Sequence, residues 1–211
     1  MVLVSFVIAI TIHEFMHAYT AHKLGDDTAR RLGRITFNPI EHFDPIGFFG
    51  MVMIAMGFPF IGWGKPVPVQ PGNFRGRWAA NRKVGMLVVA AAGPLSNIAQ
   101  ALVMAIPFQY MWRNNIGSAD ALNFMQVFIS INILLAAFNM IPIPPLDGYK
   151  ILTGILPNFW TPILRPLEQY GFMVLFVFII IGNQMGGGSV LSAMIDPVYN
   201  SLQRIVFVGL I

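Results

Sequence analysis

The chain contains no cysteine. That excludes a disulfide framework and any metal site built on thiolates, leaving histidine, aspartate and glutamate as the only strong ligands. Charge is scarce too: 10% of the 211 residues are charged, against about 25% in an ordinary soluble domain. Hydrophobic residues make up 56%, mean hydropathy is +0.67, and the apolar residues fall into long runs. This is the composition of an integral membrane protein. No internal repeat, low-complexity tract or polar stretch large enough to fold alone is visible. The net charge of +4 is therefore no nucleic-acid signal. In a membrane chain, Lys and Arg chiefly report which loops face the cytoplasm.

The first apolar run, Met1 to Leu24, lacks the basic n-region and small-residue cleavage site of a signal peptide. We read it as a retained span, rising roughly 36 Å. Inside it stands His13-Glu14-Phe15-Met16-His17. Residues four apart share one helix face, so both imidazoles can point at one metal ion. Glu14 sits beside that ion, where it can take a proton from a water the metal activates. His13 lies roughly 18 Å from the helix start, within the hydrocarbon. H-E-x-x-H arises by chance in unrelated chains. Three ionisable groups inside a bilayer are another matter, because they are costly unless they bind something.

The remaining chain reads as an all-α polytopic bundle of about 4–6 membrane segments, forming a single membrane-embedded domain over 1–211. Further spans are expected at about 84–112, 120–140 and 170–185. Segment 44–63 is apolar but rich in Pro and Gly, so it either spans or re-enters. Gly186 to Ser189 is a flexible break, and 190–211 is mildly amphipathic, an interfacial segment. Lys65-Pro66-Val67-Pro68-Val69 cannot be helical, and reads as an edge strand or a polyproline stretch. Ile141 to Pro145 must unwind the end of a span, having three prolines in four residues.

Charge chooses between the topologies. If 44–63 re-enters, only Arg113 and Arg204 of the 13 basic residues lie outside, as the positive-inside rule prefers. The N-terminus then faces outward, and Asp147 emerges on the cytoplasmic side, where the first helix ends.

A catalytic zinc takes three protein ligands and keeps one position open. His22 is five residues beyond His17, about 140° around the helix, and points elsewhere. His22 and His42 are expected to be ordinary solvated or interfacial histidines. The third ligand should be a carboxylate. Asp26, Asp27, Glu41, Asp44 and Glu168 lie in connectors, where solvation or surface pairing accounts for them. Asp120 and Asp196 fall on the far side. Asp147 alone follows an unwound exit from a span, where a carboxylate is costly unless paired or metal-bound. Its plainer role is a helix N-cap. For Asn97 and Asn139 the plainer role is hydrogen bonding between helices, and for Gly93 it is close helix packing.

Three elements, in this order, resemble the site-2 proteases, a family of intramembrane zinc metalloproteases. They are His13 to His17, Gly93-Pro94-Leu95-Ser96-Asn97, and Asn139 to Gly148, the last resembling N-x-x-P-x-P-x-L-D-G. The stretches Phe37 to Gly47 and Lys65 to Val69 resemble those of the compact prokaryotic type. The resemblance implies one Zn2+ held by His13, His17 and Asp147, with Glu14 as general base and acid. It implies substrate contacts from Asn139 and Asn97, and from Lys65, Val67 and Val69 as a small extended or β edge beside the site. It also implies a transmembrane protein or peptide as substrate, a lipid bilayer as surroundings and no nucleic acid; oligomeric state stays open. The expected location is a prokaryotic cytoplasmic membrane, with the active site toward the cytoplasm. No PDZ or CBS domain is present, and no transmembrane helix precedes the first. The rival reading is a metal-binding membrane transporter or an inactive binding homologue. The absent repeat and the intact Glu14 weigh against it.

Overall fold

The computed structural model describes residues 1–56, 62–171, 173–175, 177 and 190–208. Helix α1 (Val2–Lys23) carries small and polar residues on its buried face: Ser5, Ala9, His13, Glu14, His17, Ala18 and Ala21. Val4, Ile8 and Tyr19 face outward. This inverts the pattern of a soluble helix, because lipid accepts apolar side chains and small residues let helix backbones approach. At the far end Gly25 turns the chain at φ +107°, beside Arg75.

Two short helices follow, α2 (Thr28–Arg31) and α3 (Pro45–Ala55). Asp44 caps α3 by accepting from the Ile46 and Gly47 amides. Eleven residues rise about 16 Å, half the thickness of a hydrocarbon core. The chain then comes back on itself: the Lys65 amide donates to the His42 carbonyl at 2.9 Å, and Gly47 packs against the Trp63 backbone. The two flanks of segment 44–63 thus lie side by side; residues 57–61 lie outside the described residues.

A single turn, α4 (Arg77–Ala80), leads into α5 (Arg82–Arg113). At about 48 Å, α5 outreaches the hydrocarbon. It runs antiparallel to α1, burying Gly85, Val89, Gly93 and Asn97. A tight turn through Asn115 and Gly117, both at positive φ, reverses the chain into α6 (Ala119–Asn139). Ser118 caps α6 by accepting from the Ala121 amide at 3.2 Å. Ala101, Ala105 and Phe108 of α5 meet Ile129 and Ile133 of α6 in a core that also takes Val206.

The proline-rich exit places Ile141, Ile143 and Leu146 in a second core with Leu175. Helix α7 (Asp147–Ile155) then runs back along the first turns of α5. Gly154 packs on Leu87, and Lys83 Nζ donates to the Leu156 carbonyl at 2.6 Å. Helix α8 (Thr161–Gln169) follows.

Helix α9 (Val190–Val208) does not lie flat on an end of the bundle, as its polar residues suggest. Its Met194 and Ile195 pack on the cluster just beyond α6, while its Val206 reaches the α5–α6 core, so it runs antiparallel to α6. Packing against α5 and α6 outweighs Asp196, Pro197 and Arg204.

Among the described residues, α1, α5 and α6 are long and apolar enough to cross a bilayer. Most of the expected span at 170–185, the break at 186–189 and residues 209–211 lie outside the described residues. No β-ladder forms among the described residues, and 65–69 take part in neither ladder nor helix.

Candidate metal centre

His13 and His17 face Asp147 across the middle of the bundle. The Asp147 Oδ2 atom lies 3.1 Å from each imidazole Nε2, and the two Nε2 atoms are 3.0 Å apart. All three residues are buried, and their ligand atoms lie within 4.8 Å of one another. Asp147 opens α7 as its first residue, with Leu146 in the cap position and no side-chain cap bond. The N-cap role therefore does not apply; the carboxylate points at the histidines.

The opposite ring nitrogens are held by α5. His13 Nδ1 donates to Asn97 Oδ1 at 2.6 Å, and His17 Nδ1 donates to the Val89 carbonyl at 2.8 Å. The orientation of Asn97 follows from its other contacts: its Nδ2 donates to the Ala9 carbonyl at 3.3 Å and to Asn132 Oδ1 at 2.9 Å. Asn132 in turn donates to the Phe128 carbonyl at 3.0 Å. A carbonyl only accepts, so each end of this chain of amides is fixed. With a proton on each Nδ1, both Nε2 lone pairs and the Asp147 oxygen converge with no donor between them. A shared cation relieves that arrangement. Two imidazoles and one carboxylate, with both rings oriented from behind, fit a catalytic zinc site.

Asn97 is fully buried, and its contacts go to His13, Asn132 and Ala9. Its place is behind the imidazole, and it is not among the residues lining the cavity beside the three ligands. An Asn97→Ala chain is expected to bind zinc roughly 10–100-fold more weakly, measured by competition with a chelator. Unchanged affinity would mean that His13 is held by something else.

A cavity of about 340 Å³ opens beside the three ligands, lined by Glu14, Val67, Val69, Asn139 and Lys150 among mostly apolar neighbours. Gly64 passes over Glu14 and Ile10, and a Cβ there would come within 2.9 Å of the Ile10 side chain. Asn139, which lines the cavity, uses one Nδ2 hydrogen on the Leu135 carbonyl at 2.9 Å. Lys65 does not line the cavity; its side chain is exposed. Lys150 Nζ lies 3.9 Å from Asp147 Oδ1, on the side away from the imidazoles.

Three connector residues differ from expectation. His42 is buried, with Nε2 donating to the Thr36 carbonyl at 2.9 Å. Asp26 is buried and bonded across the fold, where a solvated carboxylate was expected. Arg34, counted only as a topology marker, is buried as well. Backbone partners far along the chain explain Asp26 and Arg34, while His42 bonds a carbonyl six residues before it. His22 pairs with Asp27 at 2.7 Å, a surface contact as expected.

Comparison with known proteins agrees with this chemistry. The family model for peptidase family M50 matches residues 107–182. The "Putative zinc metalloprotease YwhC" of Bacillus subtilis is 35% identical over 84% of this chain and 78% of its own length. The similarly named MJ0611 of Methanocaldococcus jannaschii is 32% identical over 78% of this chain and 74% of its own length. The similarly named Rip2 of Mycolicibacterium smegmatis is 28% identical over 85% of this chain and 66% of its own length. No solved structure gives a significant match.

Proposed function

Since the chain belongs to peptidase family M50, a family of zinc metalloproteases, we propose that it hydrolyses a peptide bond in or beside a transmembrane segment of another protein. One observation carries this reading: His13, Glu14, His17 and Asp147 are buried together between helices of membrane-spanning length.

In this reading His13, His17 and Asp147 would hold zinc. Zinc held there would supply a Lewis acid for the scissile carbonyl and would lower the pKa of the attacking water. Glu14 takes the proton as the water oxygen adds to the carbonyl carbon, and gives a proton to the amine as the C–N bond breaks. The second N–H and the Oδ1 of Asn139 hold the substrate backbone. Asn97 acts through His13, as a positioning residue.

A transmembrane helix hides its carbonyls in its own hydrogen bonds, so the substrate must unwind first. Residues 66–69 offer a backbone to pair with, offsetting the bonds lost. Val67 and Val69 line the cavity beside Glu14, and Lys65 marks the start of this edge.

The same reading sets the topology. Segment 44–63 re-enters, a course supported by the bond between His42 and Lys65 on either side of it. The basic loops and the cavity mouth face the cytoplasm, and the N-terminus faces out, in a prokaryotic cytoplasmic membrane.

The test uses a synthetic transmembrane peptide of about 25 residues in lipid nanodiscs with the purified protein. Cleavage is expected, lost on zinc chelation and restored by zinc but not by magnesium. Zinc binding without cleavage, together with zinc flux in proteoliposomes, would overturn the proposal in favour of a transporter.

A further inference from the structure

Chain 65–70 has nothing of its own to hold it. Pro66 and Pro68 carry no N–H, no ladder forms, and no backbone hydrogen bond to 66–69 occurs among the described residues. Yet both ends of this stretch are fastened, and each fastening uses a buried charge from the 25–43 connector.

Asp26 secures the far end. It is 0% exposed, and a carboxylate so placed needs several donors. Its Oδ2 accepts from the Gln70 amide at 2.6 Å, while its Oδ1 accepts from Asn73 Nδ2 at 2.9 Å and from the Thr28 amide at 3.0 Å. The Thr28 bond is a local turn, as Asp commonly makes. Gln70 and Asn73 are 44 and 47 residues away, so a turn does not explain them. Burial alone would raise the Asp26 carboxyl; the donors from Thr28, Asn73 and Gln70 hold it below its ordinary value.

Arg34 secures the near end. It is 4% exposed, and its Nη2 donates to the Lys65 carbonyl. The Lys65 amide is taken by His42, as described. Burial lowers the Arg34 pKa, opposed by the carboxylates of Glu14 and Glu41. Between the two fastenings Val69 packs on Ala21, Leu24, Phe74 and Val89. Val89 is also the residue whose carbonyl holds His17.

We propose that Asp26 and Arg34 are positioning residues that hold 65–70 as a pre-formed pairing edge over the metal centre. This rests on the edge reading given above. A substrate that pairs with an edge already fixed is spared the cost of ordering it. Their role is to lower KM, and they take no part in bond breaking.

The test compares Asp26→Ala, Arg34→Met and Arg34→Lys with the unaltered chain, on the same transmembrane peptide in nanodiscs. Zinc content is measured on each preparation. Expected are a KM raised about tenfold in Asp26→Ala and Arg34→Met, with kcat and zinc content unchanged. Arg34→Lys, which keeps a donor for the Lys65 carbonyl, should recover most of the loss. A merely structural role would instead lower kcat and zinc content together and leave KM alone; that result overturns the proposal. Should Asp26→Ala fail to fold, the contrast between Arg34→Met and Arg34→Lys decides alone. Val67→Pro separates the two readings, because it removes a donor from the edge itself. If Val67→Pro leaves KM unchanged, the edge reading falls and the proposal with it. If Val67→Pro raises KM while Asp26→Ala and Arg34→Met do not, only the proposal falls.

Discussion

Replacing Glu14 with glutamine is expected to slow peptide hydrolysis by roughly 10²–10⁴-fold, the usual worth of a general base, while zinc stays bound one per chain. The two side chains have nearly the same size, so the packing around residue 14 has no reason to change. His13, His17 and Asp147 keep their mutual contacts. What glutamine cannot do is accept the proton of the attacking water. The expected signature is a collapse in kcat with little change in KM and full metal content, read on one preparation by peptide cleavage and metal analysis. Wild-type turnover by Glu14→Gln would remove Glu14 from the reaction.

Gly93→Ala should do the reverse, sparing the base and losing the metal. A Cβ at residue 93 would stand 2.4 Å from His17 Nε2 and 2.6 Å from His13 Cε1, closer than such atoms approach. The imidazoles must move, and their bonds to Asn97 and the Val89 carbonyl move with them. Zinc affinity is expected to fall by at least about 100-fold, the upper end of what disturbed supporting contacts cost. Intrinsic propensity works the other way, since alanine favours a helix interior over glycine by about 1 kcal/mol. The altered protein should therefore stay helical by circular dichroism while failing to retain zinc. Full zinc occupancy in Gly93→Ala would show that the two helices can separate here without harm.

The residues of the candidate metal cluster were legible because their chemistry is local or compositional. His13 and His17 announce themselves by spacing, and Asp147 by its place after a run of prolines. Spans α1, α5 and α6 follow from apolar length. The supports were not legible. Nothing around Asn132 tells it from any polar residue in a span, and the Val89 carbonyl has no side-chain signature at all. Gly93 was visible as a packing glycine and as part of the Gly93 to Asn97 element, but not as the space-maker for imidazoles that lie 76 and 80 positions earlier in the chain. Asp26 looked like a solvated or surface-paired carboxylate and Arg34 like a topology marker for the same reason: their partners are tertiary. Helix α9 misled through its polar residues, which outweigh on paper the Val206 contact that fixes its course.

The separation of the ligands along the chain has a consequence for biosynthesis. Asp147 is made 134 residues after His13 and 130 after His17. A ribosome that has delivered the first helix to the membrane has delivered two imidazoles and a base, but no third ligand. The cluster stays incomplete until the hairpin of α5 and α6 has been made and α7 has brought the carboxylate to the imidazoles. Completion of the cluster is then an event of assembly, timed by chain order.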